Sequence, residues 1–313
     1  GGVNKSLSRK EIDYLKQDSE QVITWAGQAV ALIKRIFAQH YDYHMNFAVI
    51  DSNMLSVVGG EGAFELYHGG LRARDSDGGM IFDQLDYTDY SDYIHEGVKN
   101  WSYMKFPFIR SLGQDAGWYR VRPLARVNNC DFFPTPLAEK ERVEFVAAGN
   151  GRPVQSTLAF HWARLIELLH CAEAIAELLD DCDLGGNELR HTGALQATGI
   201  GVIEAPRGTL IHHYEINDEG IVEKANLIVS TTHNNQAMNE SIRKVANQYL
   251  DGECLTEALL NQVEVAIRAY DPCLSCATHA MGKMPLQLNL VNENNELLDQ
   301  LIKNAAGNVS RVR

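Results

Sequence analysis

The residues best suited to chemistry lie near the C-terminal end, in the stretch "DPCLSCATH" at 271–279. Cys273 and Cys276 stand three positions apart, and His279 follows after the same interval. Thiolates are soft ligands, so the pair suits zinc, nickel, copper(I) or iron. The pair could equally be half of a structural zinc site or a redox dithiol. Covalent haem attachment is excluded, because it needs the histidine directly after the second cysteine.

Two other stretches place arginines beside prolines. "EAPRG" at 204–208 puts Arg207 between a proline and a glycine at a predicted strand junction, and "RPLAR" at 122–126 contributes Arg122 and Arg126. A charged side chain in such a place must be solvated, paired or directed into a site. A surface ion pair is the simplest alternative. Glu204 is a candidate carboxylate behind the site, with a strand-end ion pair as its alternative.

The elements that must position these residues follow from periodicity and from helix and turn signals. Ser8 and Glu11 form a capping-box signature, and Pro272 ends the preceding helix near Tyr270. Helices are predicted at 9–40, 90–101, 156–181, 235–250, 255–270 and 295–305. Strands are predicted at 54–59, 63–69, 71–82, 199–204, 209–216, 221–229 and 286–291, with residues 101–136 irregular. The predicted class is mainly α with a minor antiparallel β component (α+β).

Composition and charge exclude several classes of function for this chain. The 313 residues carry a formal charge of −13 and no basic run of five or more, which argues against nucleic-acid and anionic-membrane surfaces. Apolar runs are too short to span a bilayer. Six dispersed cysteines in a chain of this size favour a reduced, cytoplasmic compartment over a disulfide scaffold. The cysteines outside the pair are predicted to be small buried hydrophobic residues: Cys130, Cys171, Cys182 and Cys254.

The ordered set "RPLAR", "EAPRG", "VSTTHNN" (229–235) and "DPCLSCATH" resembles the large subunit of nickel–iron hydrogenases. Any one motif is weak alone, but the set in this order is specific, and the resemblance covers nearly the whole chain. It implies the helical-bundle core of that family. Details such as "WSYMKFPF" and "GTLIHHY" are most similar to the cytoplasmic, NAD(P)-linked bidirectional branch. The branch that serves heterodisulfide reductase is the alternative.

The resemblance implies a nickel–iron centre in which four thiolates hold nickel and two of them bridge to an iron carrying cyanide and carbon monoxide. Cys273 matches a terminal nickel ligand, and Cys276 matches a bridging ligand. His279 matches the ligand of a nearby magnesium (or iron) ion. Arg207 matches the arginine over the metals, and Thr231 matches a hydroxyl that hydrogen-bonds a cyanide. The residues implied to line the cofactor are Pro206, Ser230 and Thr231.

The implied activity is reversible heterolytic cleavage of dihydrogen, with the metals as Lewis acid and the Cys273 thiolate as proton acceptor. Arg207 is expected to act electrostatically, because a guanidinium hardly ever deprotonates in proteins. Electrons are expected to leave to an iron–sulfur small subunit, then to diaphorase subunits that bind flavin and NAD. NAD(P) is not expected on this chain, which lacks a dinucleotide fingerprint.

Three departures from the family pattern add expectations. The N-terminal cysteine pair is absent and the first residue is glycine, so an N-terminal part is expected to be missing and the chain to be inactive alone. Arg122 stands where the pattern has glycine and is expected to disturb the backbone. Residues 1–279 form the expected hydrogenase domain, and 280–313 an extension expected to be removed by an endopeptidase, with a chaperone, after nickel insertion. A metal-free or zinc-binding structural subunit is the alternative reading.

Overall fold

The computed structural model describes residues 3–250, 254–273, 286–304 and 306–312. Its helices are α1 (Arg9–Gln39), α2 (Tyr41–Asn46), α3 (Tyr90–Tyr93), α4 (Gly113–Ala116), α5 (Pro123–Asn129), α6 (Pro136–Ala147), α7 (Ala159–Leu178), α8 (Asn235–Tyr249) and α9 (Glu257–Ala269). Its strands are β1 (Asn53–Val58), β2 (Gly70–Arg74), β3 (Met80–Leu85), β4 (Ile94–Lys99), β5 (Ser102–Ile109), β6 (Tyr119–Arg120), β7 (Thr198–Ala205), β8 (Gly208–Ile216), β9 (Val222–Ile228), β10 (Leu286–Val291), β11 (Leu297–Lys303) and β12 (Val309–Val312). The predicted class is confirmed, since helices dominate and the sheets are small and mostly antiparallel.

Helix α1 begins where the sequence predicts, because Ser8 and Glu11 form the expected capping box. The Ser8 backbone N–H donates to the Glu11 carboxylate at 2.9 Å, and the Glu11 N–H donates to the Ser8 hydroxyl at 3.4 Å. The helix packs along α7 and buries Ala26, Val30 and Phe37. One flank of α1 thereby closes the helical core.

Strand β1 separates two hydrophobic cores. It lies in the sheet β3-β2-β1-β6, where β6 runs parallel to it and β2 antiparallel. Because side chains alternate along a strand, Met54 joins the helical core, whereas Leu55 and Val57 join a second core. That second core includes Val202 and Ile211 from the sheet β7-β8-β9. The segments that follow β6, β7 and β9 therefore lie close together, at the boundary between the helical core and the second core.

Two of the predicted helices are wrong. Residues 90–101 form only the short α3 before β4, which pairs antiparallel with β5. Residues 295–305 contain β11, which pairs with both β10 and β12. Both stretches have apolar spacing compatible with a helix, and strand pairing overrides that local preference. The predicted strand at 63–69 forms only isolated bridges, through Phe64 and Ala63.

The segment 101–136, predicted to be irregular, contains β5, β6 and α5. Its prolines are accommodated in regular structure. Pro107 lies in β5, which among the described strands pairs only with β4, and Pro123 occupies the first turn of α5. A proline in the first helical turn needs no backbone N–H there.

The four cysteines outside the pair do not share one environment. Cys130 is buried and Cys171 is half-buried, but Cys182 and Cys254 are exposed. The prediction of buried hydrophobic residues is therefore wrong for Cys182 and Cys254. Their exposure follows from their positions just after α7 and just before α9.

The described residues after 285 form the sheet β10-β11-β12, which packs against α9. Leu301 is buried in the helical core. The Asp299 carboxylate accepts the Leu255 N–H at 2.9 Å, and Lys303 pairs with Glu264 at 2.6 Å. The extension expected to be removed is thus docked on the body of the chain, and its removal stays a prediction. No helix within the described ranges has the length and apolarity to cross a membrane.

Candidate metal centre

The turn that presents Cys273 starts where α9 ends. Tyr270, at the helix C-cap, is fully buried, and its hydroxyl lies 2.8 Å from the Ser241 hydroxyl. Asp271 has a φ of +47° and precedes a proline, so the chain leaves the helix direction abruptly. The confirmed helix end leaves Cys273 half-buried, a few residues beyond a firmly anchored tyrosine.

Thr231 joins this turn to the segment after β9. Its side chain is buried, and its hydroxyl oxygen accepts the backbone N–H of Cys273 at 3.2 Å. The same oxygen accepts Nη2 of Arg122 at 3.0 Å. One threonine hydroxyl therefore connects three parts of the chain that are distant in sequence.

Arg207 reaches the same turn from the junction of β7 and β8. Its Nε donates to the Asp271 carbonyl oxygen at 3.0 Å and lies 3.4 Å from the Asp271 carboxylate. Its side chain is 44% exposed, so the Asp271 ion pair is solvated as well as close to Cys273. Arg207 therefore lies near the turn that carries Cys273. It also forms an ion pair with Asp271, which is the alternative role predicted for it from the sequence.

Gly208 allows the Arg207 junction to lie directly on the residues that follow β6, Val121 and Arg122. Its φ is +113°, and a Cβ there would lie 2.3 Å from Cγ2 of Val121 and 2.9 Å from the Arg122 nitrogen. Only glycine tolerates both the dihedral angle and this approach. The Ser230 hydroxyl donates to the Gly208 carbonyl at 2.7 Å, so the segments after β7 and β9 are tied together.

Arg122 is the departure from the family pattern, and its backbone retains a conformation that belongs to glycine. Its φ is 85° and its ψ is −174°, a region almost exclusive to glycine. The residue has no exposed surface. Besides Thr231, its guanidinium donates to the Asp271 carbonyl oxygen at 2.9 Å. The side chain therefore turns into the candidate site instead of towards solvent.

Three guanidiniums gather around the end of α9: those of Arg122, Arg207 and Arg164, the last donating to the Ala269 carbonyl at 3.0 Å. Within the described ranges, Asp271 is the one residue whose carboxylate bonds any of them. Burial lowers the pKa of Arg122 to about 9; Asp271 opposes the shift, whereas Arg164 and Arg207 add to it. The local excess of positive charge suits an anionic group.

Arg126 forms a separate, compensated cluster behind this group. It donates to Glu167 through Nε and Nη2, both at 2.6 Å, and to Glu204 at 2.8 Å. Glu204 also accepts from the Thr209 hydroxyl at 2.7 Å and from the Val57 N–H at 2.9 Å. Burial raises the pKa of Glu204, although Arg126 and these donors oppose the shift. Glu204 is thus an internal brace that holds the β7–β8 junction.

His233 belongs to the "VSTTHNN" stretch and anchors that stretch to the residues beneath it. It is buried, and its Nδ1 lies 2.6 Å from the Tyr119 hydroxyl. Burial lowers the pKa of His233 to about 3. The neutral imidazole therefore fixes the segment around Thr231 against β6.

A cavity of about 340 Å³ opens beside these clusters. Its charged wall includes Arg126, Arg164, Glu167 and Asp271, and Pro206 lies at its edge. The apolar wall is made by Phe64, Leu66, Tyr67 and Leu168. This combination of an apolar wall with convergent charged groups is typical of small-molecule sites.

The structure brings together Arg207, Thr231 and Cys273, and it places Pro206 and Ser230 on the segments that carry Arg207 and Thr231. Cys276 and His279 lie outside the described residues. Sequence reasoning missed Arg164, because α7 was interpreted only as a bundle helix. A lone arginine in the apolar run "AFHWARLIELL" was the available signal.

Comparisons with known proteins identify the family of this chain. The family model for nickel-dependent hydrogenases matches residues 76–279. The chain is 43% identical to the beta subunit of the NAD-reducing hydrogenase HoxS of Cupriavidus necator, over 96% of this chain and 63% of that protein. It is 40% identical to one subunit of the F420-non-reducing hydrogenase of Methanothermobacter thermautotrophicus, over 90% of this chain and 59% of that protein.

Solved structures show the same relationship. A crystal structure of an NAD+-reducing NiFe-hydrogenase in the H2-reduced state superposes with a TM-score of 0.85 at 49% identity, covering 89% of this chain and 62% of that chain. A NiFeSe hydrogenase from Desulfovibrio vulgaris Hildenborough shares the fold, with a TM-score of 0.64 at 21% identity over 89% and 63%. The chain thus spans about three fifths of the length of the relatives it matches.

Proposed function

Since this chain belongs to the nickel-dependent hydrogenase family, we propose that it is the catalytic subunit of a nickel–iron hydrogenase that interconverts dihydrogen with protons and electrons. The observation that carries the proposal is the contact of Thr231 with Cys273 at 3.2 Å beside Arg207, which unites three sequence motifs at one point. A structural subunit without a metal centre would not need these three motifs at one point.

The residues present fit an anionic metal centre. Arg122, Arg164 and Arg207 surround the turn that leads to Cys273, and among the described residues the buried Nε of Arg122 finds no acceptor. Cys273 would supply one thiolate to nickel and Cys276 a bridging one. His279 would hold the adjacent magnesium or iron ion. No group of three metal-ligating side chains in the described ranges includes Cys273, so the remaining ligands would come from elsewhere.

The bound nickel–iron centre, with cyanide and carbon monoxide on iron, would supply the Lewis acidity that polarises dihydrogen and the redox capacity for two electrons. As the bond in dihydrogen breaks, the Cys273 sulfur would accept the hydrogen that leaves as a proton, while the electron pair of that bond would stay with the other hydrogen and pass to the centre. Arg207, held by Asp271, would bring its positive charge close to the centre, and Thr231 would donate its hydroxyl hydrogen to a cyanide of that centre. Pro206 and Ser230 hold the two segments that carry these side chains.

The two electrons would leave singly to an iron–sulfur small subunit, then reach NAD(P) through diaphorase subunits that carry flavin. The higher identity to the NAD-reducing relatives, 43–49%, supports NAD(P) as the acceptor, since the F420-non-reducing relatives are 35–40% identical. The proposal places the protein in the cytoplasm. It also includes a maturation endopeptidase that removes residues 280–313 and a chaperone that assists nickel insertion.

Dihydrogen uptake with an artificial dye tests this function, using the protein expressed from its own genomic locus with its neighbours. Cys273→Ser is expected to lower the rate at least about 100-fold, because one nickel ligand is lost. Cys182→Ser is the matched control, since that thiol is exposed and lies outside the candidate site. Equal rates for Cys273→Ser and wild type would refute the proposal, as would a wild type without uptake that contains zinc and no nickel.

A further inference from the structure

The side chain of Arg122 occupies a backbone position that a non-glycine residue adopts only under strain. Its φ of 85° and ψ of −174° lie in a region populated essentially by glycine. The preceding Val121 N–H is held by the Asn234 side chain at 3.1 Å, and Gly208 packs directly on the Arg122 nitrogen. The surrounding chain therefore imposes this conformation, and the arginine is retained in spite of it.

The Arg122 guanidinium bridges two segments of the candidate site. Nη1 donates to the Asp271 carbonyl at 2.9 Å, on the turn before Cys273. Nη2 donates to the Thr231 hydroxyl at 3.0 Å, on the segment after β9. Both bonds are buried or partly buried, so water competes weakly for them. The planar guanidinium presents a separate nitrogen to each acceptor, whereas a lysine would have to make both bonds from one nitrogen.

These contacts determine the direction in which the Thr231 hydroxyl can act. A hydroxyl oxygen has two acceptor positions and one hydrogen to donate. Arg122 Nη2 fills one acceptor position, and the Cys273 N–H fills the other at 3.2 Å. The hydrogen of Thr231 must then point away from both donors. Within the part of the chain that the structure describes, no residue accepts that hydrogen.

We propose that Arg122 is a positioning residue that fixes the Thr231 hydroxyl as an obligate hydrogen-bond donor to the metal centre and anchors the turn that carries Cys273. The proposal rests on the proposed function for the identity of the acceptor, a cyanide on iron. Its account of Thr231 and of the Cys273 turn depends only on the contacts within this chain. Without the guanidinium, the hydroxyl regains an acceptor position and can rotate.

The first test uses metal-free protein and hydrogen exchange at the Cys273 amide, followed by mass spectrometry. Arg122→Gly is chosen because glycine suits the backbone at this position, so the fold is retained. Exchange at Cys273 is expected to be at least about tenfold faster than in wild type, since the turn loses the anchor at Asp271. Arg122→Lys should lie between them, and Arg152→Gly, on an exposed arginine, should match wild type. Unchanged exchange in Arg122→Gly overturns the proposal.

The second test uses the metal-loaded protein and the infrared stretching band of the cyanide. Arg122→Gly and Thr231→Val should each shift this band, and the double variant should shift it by less than the sum of the two, because Arg122 acts on the cyanide mainly through Thr231. Additive shifts, or no shift in Arg122→Gly, overturn the proposal. A wild type with neither nickel nor cyanide bands refutes the proposed function instead, and the exchange result then decides the role of Arg122 by itself.

Discussion

The Cys273 backbone N–H donates to the Thr231 hydroxyl oxygen at 3.2 Å, across 42 positions of sequence. This bond joins the turn after α9 to the segment after β9, and Arg122 and Arg207 both reach the same turn through Asp271. The candidate site is therefore a junction of four chain segments, each of which contributes hydrogen-bonding groups to it. Individual contacts at this junction have consequences that can be measured.

Replacing Thr231 by valine should destabilise the metal-free chain. The change keeps the side-chain shape but leaves the Cys273 N–H and Arg122 Nη2 without their acceptor in a buried place. Each unsatisfied buried donor costs about 1–3 kcal/mol. Thr231→Ser retains the hydroxyl and should lose no more than about 1 kcal/mol, for one methyl group. Urea unfolding measures both variants, and equal midpoints for valine and wild type would contradict the assigned bonds.

Arg122 and Arg164 should respond in opposite ways to glycine and alanine. At Arg122, where φ is 85°, glycine should be more stable than alanine by about 1–3 kcal/mol, because alanine retains the backbone strain. At Arg164, within α7, alanine should be more stable than glycine by about 1 kcal/mol. Thermal unfolding of the four variants checks this reversal. The same order at both positions would contradict the left-handed backbone of Arg122.

Acidification should destabilise the chain through His233. Its pKa is 6.5 in ordinary surroundings and about 3 when buried here. Between these values the unfolded chain binds a proton that the folded chain does not, so stability falls as the pH falls, with a slope approaching about 1.4 kcal/mol per pH unit. His233→Gln should unfold with a shallower dependence between pH 6 and 4.5. His191→Gln, at an exposed position, should keep the wild-type slope.

A Cβ at position 208 should be among the most costly single changes. Gly208→Ala must adopt a φ of +113° and meets Val121 and the Arg122 backbone. The expected loss is at least about 2 kcal/mol, from strain and overpacking together. Gly199→Ala, in the same sheet with open space around it, should change stability by about 0.5 kcal/mol or less. Denaturant titration of both variants checks the difference, and a mild effect at Gly208 would contradict its close packing on Val121 and the Arg122 backbone.

Features fixed by local chemistry could be predicted from the sequence. The capping box at Ser8 and the helix end before Pro272 each depend on residues a few positions apart, and both are confirmed. The strands β7, β8 and β9 also lie close to their predicted bounds. The meeting of Arg207, Thr231 and Cys273 was expected from the resemblance, not from periodicity.

Features that depend on distant partners could not be predicted in this way. β4 and β11 are strands because neighbouring strands pair with them, and their own residues favour a helix equally well. Arg122 was expected to disturb a glycine-type backbone, but the contacts of Gly208 and Asn234 hold that backbone in place. The sequence identifies Arg122 as an unusual residue at this position. Only the fold shows that its side chain points towards Thr231.

The central claim, that Cys273 is a ligand of a nickel–iron centre, is tested most directly by the metal content of the purified protein. Mass spectrometry of elements on protein expressed with its genomic neighbours should find nickel and iron in equal amounts in wild type and in Cys182→Ser. Cys273→Ser should lose at least about nine tenths of its nickel, because one of the thiolates that hold the metal is gone. Zinc in place of nickel in wild type, or unchanged nickel in Cys273→Ser, would contradict the account.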